Sequence, residues 1–175
     1  MAKLRKMLCD ITSPECAALM SQIETQSKAT LACWAIGYAR DRYLDIYEKE
    51  CPGDTRLRDT IASCEQCLEG SIKLSELKPQ LRDTAQTARD LNDYPVAQAA
   101  ARAVSTACAA IQTPTNALGF LFYGAAAVAY SQAGLDKPAE VYDHMASQEF
   151  ERALASLKQA SVPDEAHPAK IQWNC

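Results

Sequence analysis

Between Arg102 and Asp136 the chain carries no charged residue. Two helix-forming stretches, Val96 to Gln112 and Ala117 to Gln132, occupy nearly all of that interval and its approach. Eight of the seventeen residues from Val96 to Gln112 are Ala, the strongest helix former and small enough to let neighbouring helices approach closely. Helices almost bare of charge all round belong at the centre of a bundle or in a membrane. Ala117 to Tyr130 falls short of the ~20 residues needed to cross a bilayer, and Thr113-Pro114-Thr115-Asn116 interrupts the pair. The reading is a buried Ala-rich hairpin at the centre of a soluble bundle, with no membrane partner.

The remaining segments supply the helices that cover it. Ser13 before Pro14 and Glu15 reads as a capped start for a short helix ending near Ile23. From Lys28 to about Glu50, apolar residues including Leu31, Trp34, Ala35, Tyr38, Ile46 and Tyr47 recur at helical spacing beside charges, so one long amphipathic helix is expected. Pro52-Gly53-Asp54 ends it; Asp54 is placed to cap a helix that closes at Gly70. Ser75 to about Leu91 predicts a further helix, with Pro79 expected to delay its true start by a turn. A last long helix is expected from about Pro138 to Ala160. The expected fold is therefore all-α, one domain over residues 1–160 with about six to seven helices. Residues 161–175 form a Pro-rich polar tail that Ile171 and Trp173 are expected to dock on the bundle.

At 48% apolar and 23% charged residues the chain has a globular composition. Its net charge of −4, with only Lys3, Arg5 and Lys6 clustered, argues against nucleic acid, whose phosphates need a basic face. The opening residues lack the apolar core of a signal peptide, which predicts a cytoplasmic location. On that reading the eight cysteines, Cys9, Cys16, Cys33, Cys51, Cys64, Cys67, Cys108 and Cys175, are thiols, with Cys33 and Cys108 expected as small core residues.

Signals for chemistry are sparse. Cys64-Glu65-Gln66-Cys67 offers two thiols where structural zinc needs four ligands, and it lies late in a helix with no βαβ unit around it. Glu140 and His144 share a helix face, and Asp41, Asp45 and Glu48 share another; both read as solvated stripes. There is no phosphate-binding glycine loop and no nucleophile elbow. No catalytic residue, metal or cofactor is expected. Three residues stand out for structure: Trp34 on the amphipathic helix, Asp54 as a cap, and Arg102, alone in an apolar stretch, expected to reach the bundle edge or to meet a carboxylate.

Several segments together carry a resemblance. Trp34-Ala35-Ile36, Pro52 through Arg58, Ala99-Ala100-Ala101-Arg102-Ala103, and Ala117-Leu118-Gly119 with Tyr123 resemble the small all-helical immunity proteins of bacterial polymorphic toxin systems, the family numbered five among them. The similarity spans roughly Thr30 to Ala133. It implies a cytoplasmic antidote that binds and blocks a cognate toxin domain without catalysis or cofactor. A helical scaffold or regulatory binding domain unrelated to toxins is the alternative, and an enzyme or metal-binding bundle a third. Arginine is favoured at binding hot spots, so Arg56 and Arg58 are the first candidates for contact with a partner; two solvated arginines beside the Asp54 cap are the plainer reading.

Overall fold

The charge-free stretch folds into the axis on which everything else is hung. The computed structural model describes residues 3–174, and Cys175 lies outside them. Among the described residues there are eight helices and no strand: α1 Pro14–Ile23, α2 Lys28–Arg42, α3 Leu44–Glu50, α4 Arg56–Leu68, α5 Leu74–Asp90, α6 Pro95–Ala109, α7 Asn116–Ala133 and α8 Ala139–Ala160. Helices α6 and α7 pack on each other along their length; α6 then receives α2, α3, α4 and α5, while α7 receives α8 and α1. Nine residues of α6 and twelve of α7 are buried, as two helices whose only charge is Arg102 demand. No helix of the described residues is long and apolar enough to cross a membrane.

Local chemistry sets the helix ends. The Ser13 hydroxyl accepts from the Cys16 N–H at 3.2 Å, satisfying an orphan donor of the first turn. Gly70, at φ +84°, closes α4 in the left-handed conformation that costs glycine nothing, with the Ser71 N–H reaching back to Gln66. Helix α5 begins at Leu74, a turn earlier than Pro79 suggests. The Glu76 carboxylate accepts from the Lys73 N–H at 2.7 Å, and Leu77 and Leu81 are buried beside the proline. Together these hold a helix that loses only the one backbone bond Pro79 cannot donate.

The long helix expected from Lys28 to Glu50 is two. It breaks at Tyr43, whose φ of −114° departs from the helical value. The break turns the Tyr43 ring fully into the core, directly over Gly124 of α7, where a β-carbon would collide with the ring. Counted with α2 and α3 as one interrupted element, the described residues form seven helices, within the six to seven that the apolar periodicity predicts.

Residues 161–174 run back over the α1–α2 corner. Gln26 binds Val162 through both its side-chain amide atoms, its backbone carbonyl accepts from the Ala169 N–H at 2.8 Å, and the Trp173 indole donates to Glu24 at 2.6 Å. The Glu165 carboxylate takes hydrogen bonds from the Ser27 and Thr30 hydroxyls and the Ser27 N–H; these lower its pKa. A carboxylate there also complements the N-terminus of α2.

The two glycines of α7 separate close packing from helix propensity. Gly124→Ala is expected to cost about 1–3 kcal/mol or more, because the Tyr43 ring must be displaced. Gly119→Ala, where a β-carbon meets only ordinary contacts, is expected to be neutral or stabilising by up to about 1 kcal/mol. Urea denaturation of both variants checks this; equal effects would contradict the packing described.

Candidate functional site

The break at Tyr43 aims three side chains of the α2–α3 corner at one buried carboxylate. Glu149 lies on the inward stripe of α8 with Tyr142, Ala146, Phe150, Ala153 and Leu157, and its side chain is 1% exposed. The Tyr43 hydroxyl donates to it at 2.8 Å and the Tyr38 hydroxyl at 3.2 Å, while the Arg42 guanidinium contributes Nε at 2.9 Å and Nη2 at 2.9 Å. A buried carboxylate is stable only when paired and hydrogen-bonded, and Glu149 meets both conditions. Around it Tyr43 packs edge to face on Tyr38 and Phe120, and Phe120 on Trp34 and Tyr38, with Trp34 tilted against Tyr38; the centroids are 5.5 to 6.1 Å apart, and the edge-to-face pairs are the arrangement aromatic quadrupoles favour. Burial, followed by the neighbouring Glu149 charge, pushes the pKa of both Tyr38 and Tyr43 far up.

Outside this centre an open groove of about 630 Å³ runs between α2 and α8. Cys33 and Gly37 form the α2 side and Ser156 and Ala160 the α8 side, with Trp34 and Tyr38 beneath and Arg42 and Arg152 at one end. Trp34 is 6% exposed and donates from its indole to Ser156 at 3.1 Å, tying the two helices. Cys33 is exposed, contrary to the expected core position. Cys33, Gly37, Arg40 and Asp41 make the outward stripe of α2, while Leu31, Ala32, Trp34, Ala35, Ile36 and Ala39 face in.

The arginines at the start of α4 are engaged within the chain. Arg56 clasps Asp54 with Nε and Nη2, and Arg58 clasps Glu48; their side chains are 65% and 61% exposed. Asp54 also accepts the Arg56 backbone N–H at 3.0 Å and the Tyr47 hydroxyl at 2.6 Å, one residue before the helix cap Thr55. The Arg56 guanidinium, foremost, holds the Asp54 carboxyl far below the usual carboxylate range. Asp41 pairs with Arg40 and Asp45 with Lys49, and Glu140 and His144 are exposed. Arg102 forms no ion pair among the described residues; it is half-buried at the bundle edge with its guanidinium 5.7 Å from the centre of the Tyr123 ring.

Cys9, Cys33, Cys51, Cys64, Cys67 and Cys108 are thiols. Cys64 and Cys108 are buried side by side between α4 and α6. The hydrogen bond that the Cys108 thiol donates to Cys64, then burial, pushes the Cys108 pKa well up, the opposite of what a reactive thiol needs. Cys67, half-buried, is raised by burial as well. No group of three or more potential metal ligands occurs among the described residues. The polar groups that sequence reasoning missed are Glu149 and the tyrosines that bind it; the available signal was a Glu on the apolar stripe of α8.

A family model described as Imm-5 like putative immunity protein matches residues 21–159, from the end of α1 to the last turn of α8. No curated protein and no solved structure matches the chain.

Two outcomes follow from the geometry. A tyrosine whose pKa is raised in the folded state contributes stability that is fully present below the unfolded value near 10 and is lost as pH rises through the folded value. Stability in urea is therefore expected to fall above about pH 10, and Tyr43→Phe should flatten that fall; an unchanged slope would contradict burial of the phenol. Arg102→Ala is expected to cost about 1 kcal/mol or less, the worth of a cation–π contact at the bundle edge. A loss above about 2 kcal/mol in thermal or chemical unfolding would indicate a buried ion pair instead.

Proposed function

The chain belongs to the Imm-5 like putative immunity protein family, and on that premise we propose that it is a bacterial, cytoplasmic antidote that binds a cognate toxin domain and neutralises it without catalysis. The observation that carries this reading is the extent of the match, which takes in the whole of α2 to α7 and nearly all of α8 and is therefore a likeness of the bundle from α2 onward.

The chemistry of the interior supports the same reading. Glu149 is 1% exposed and held by Tyr38, Tyr43 and Arg42, so it does not lie within hydrogen-bond reach of a substrate at the surface. Cys64 and Cys108 lie buried, the Cys108 thiol held protonated. These polar groups act within the chain to fix its shape, and a pre-formed surface loses less entropy on binding than a flexible one. Arg56 and Arg58 present exposed guanidinium edges from pairs already fixed by Asp54 and Glu48; in this proposal they contact the toxin at the rim of the interface, where a charge alters the association rate more than the strength of the complex.

Co-expression with the toxin domain encoded beside this gene tests the proposal. Growth is expected to be rescued, and the two proteins are expected to co-purify as a stable complex. Rescue with no detectable complex would defeat the binding mechanism. Absence of rescue would defeat the antidote reading for that pair.

A further inference from the structure

The molecule is acidic overall, yet three cations without a carboxylate partner among the described residues line a single cleft. Lys3, Lys6 and Arg102 border a space of about 230 Å³ where the N-terminal segment crosses the start of α6. A second cleft of about 380 Å³ shares Lys3, Arg5 and Tyr130 with the first and adds Lys137, with Asp136 as the carboxylate on its wall.

The segment that separates the two clefts is fastened to the bundle. The Leu8 N–H donates to the Phe122 carbonyl at 3.1 Å, the Tyr130 hydroxyl donates to the Arg5 carbonyl at 2.5 Å, and Arg5 pairs with Asp143 on α8 at 2.6 Å. The Arg102 guanidinium is held over Tyr123. Leu4, Pro95 and Ala99 give the first cleft an apolar floor. Gln98, only 6% exposed, donates its amide to the Ala88 carbonyl at 3.0 Å and to Asn92 at 3.3 Å, while its Oε1 accepts from no described residue.

We infer that this cleft holds an acidic segment of a protein partner, with carboxylates against Lys3, Lys6 and Arg102, an apolar side chain on the floor, and a backbone N–H donated to Gln98 Oε1. The inference rests on the protein-binding reading and adds the chemistry of the partner. Charge complementarity selects this occupant, because an acidic segment is attracted to these cations and repelled by the rest of a chain whose net charge is −4. The apolar floor of Leu4, Pro95 and Ala99 selects a peptide over an inorganic anion, which offers no apolar group to cover it.

The test is a ¹H–¹⁵N NMR titration of the full chain with the acetylated peptide Asp-Leu-Glu-Phe-Asp, with its Lys-for-acid counterpart, and with inorganic phosphate. The acidic peptide is expected to shift the Gln98 side-chain amide and Arg102 Nε–H signals saturably. Lys3→Glu with Lys6→Glu, both on exposed side chains, should weaken it about tenfold at unchanged Tm; Arg102→Gln is the second variant should the first lose stability. No saturable shift at those groups, equal shifts with the Lys peptide, or phosphate reproducing them at the same affinity would overturn the inference. Carried into co-expression, the double variant should fail to rescue where the unaltered chain succeeds. Equal rescue would overturn the cleft and leave the antidote reading standing; failure of the unaltered chain would overturn the antidote reading and leave the peptide titration to decide the cleft.

Discussion

One buried carboxylate constrains the rest of this bundle. Glu149 is almost wholly removed from water, and stranding such a charge costs several kcal/mol. Its partners must therefore arrive in fixed positions: Tyr38, Arg42 and Tyr43 come from the end of α2, and Arg152, at 3.9 Å, from the next turn of α8. Tyr43 can reach it because the helix breaks there. The break requires room for the ring over α7, which Gly124 provides. The chain of dependence runs from a missing side chain on α7, to the bend of α2, to the seating of α8.

The same arrangement shapes the surface. Drawing α8 onto α2 through Glu149, and again through the Trp34 to Ser156 hydrogen bond, leaves a groove along the outward stripe of α2 that begins at Cys33 and ends at Arg42 and Arg152. At the opposite level of organisation, the cations that do have carboxylates are consumed within the chain: Arg40, Arg42, Arg56 and Arg58 are all paired. The membership of the chain in an immunity protein family fits a molecule in which these paired charges hold a pre-formed surface.

Much of the fold is legible in the chain because it is written in local chemistry. The charge-free run from Ala103 to Leu135 announces the central hairpin; Ser13, Gly70 and Gly134 mark helix ends with the conformations those residues favour. What the pattern hides is tertiary. Tyr43 continues the helical periodicity, and only the space over Gly124 reveals that the helix stops there. Pro79 signals a delayed start, but the Glu76 cap and buried Leu77 outweigh its missing donor. Cys33 has apolar neighbours on every side in sequence, since the faces of a helix interleave, and yet it points outward. Arg102 reaches the bundle edge, where an aromatic ring serves in place of a carboxylate. Of the central network, Tyr38 and Tyr43 read as ordinary aromatic residues and Glu149 as one more charge on a long amphipathic helix, although its place among Tyr142, Ala146, Phe150 and Ala153 sets it on the buried stripe.

A double-mutant cycle between Tyr43→Phe and Glu149→Gln, measured by urea denaturation at neutral pH, tests most directly whether this network holds α8 to the bend of α2. Each single change removes part of one contact while preserving shape, so the cycle isolates the energy the two groups share. The structure predicts a coupling of about 1–3 kcal/mol, as for a buried hydrogen bond to a charged acceptor. Additive losses, with a coupling within about 0.3 kcal/mol of zero, would contradict the account.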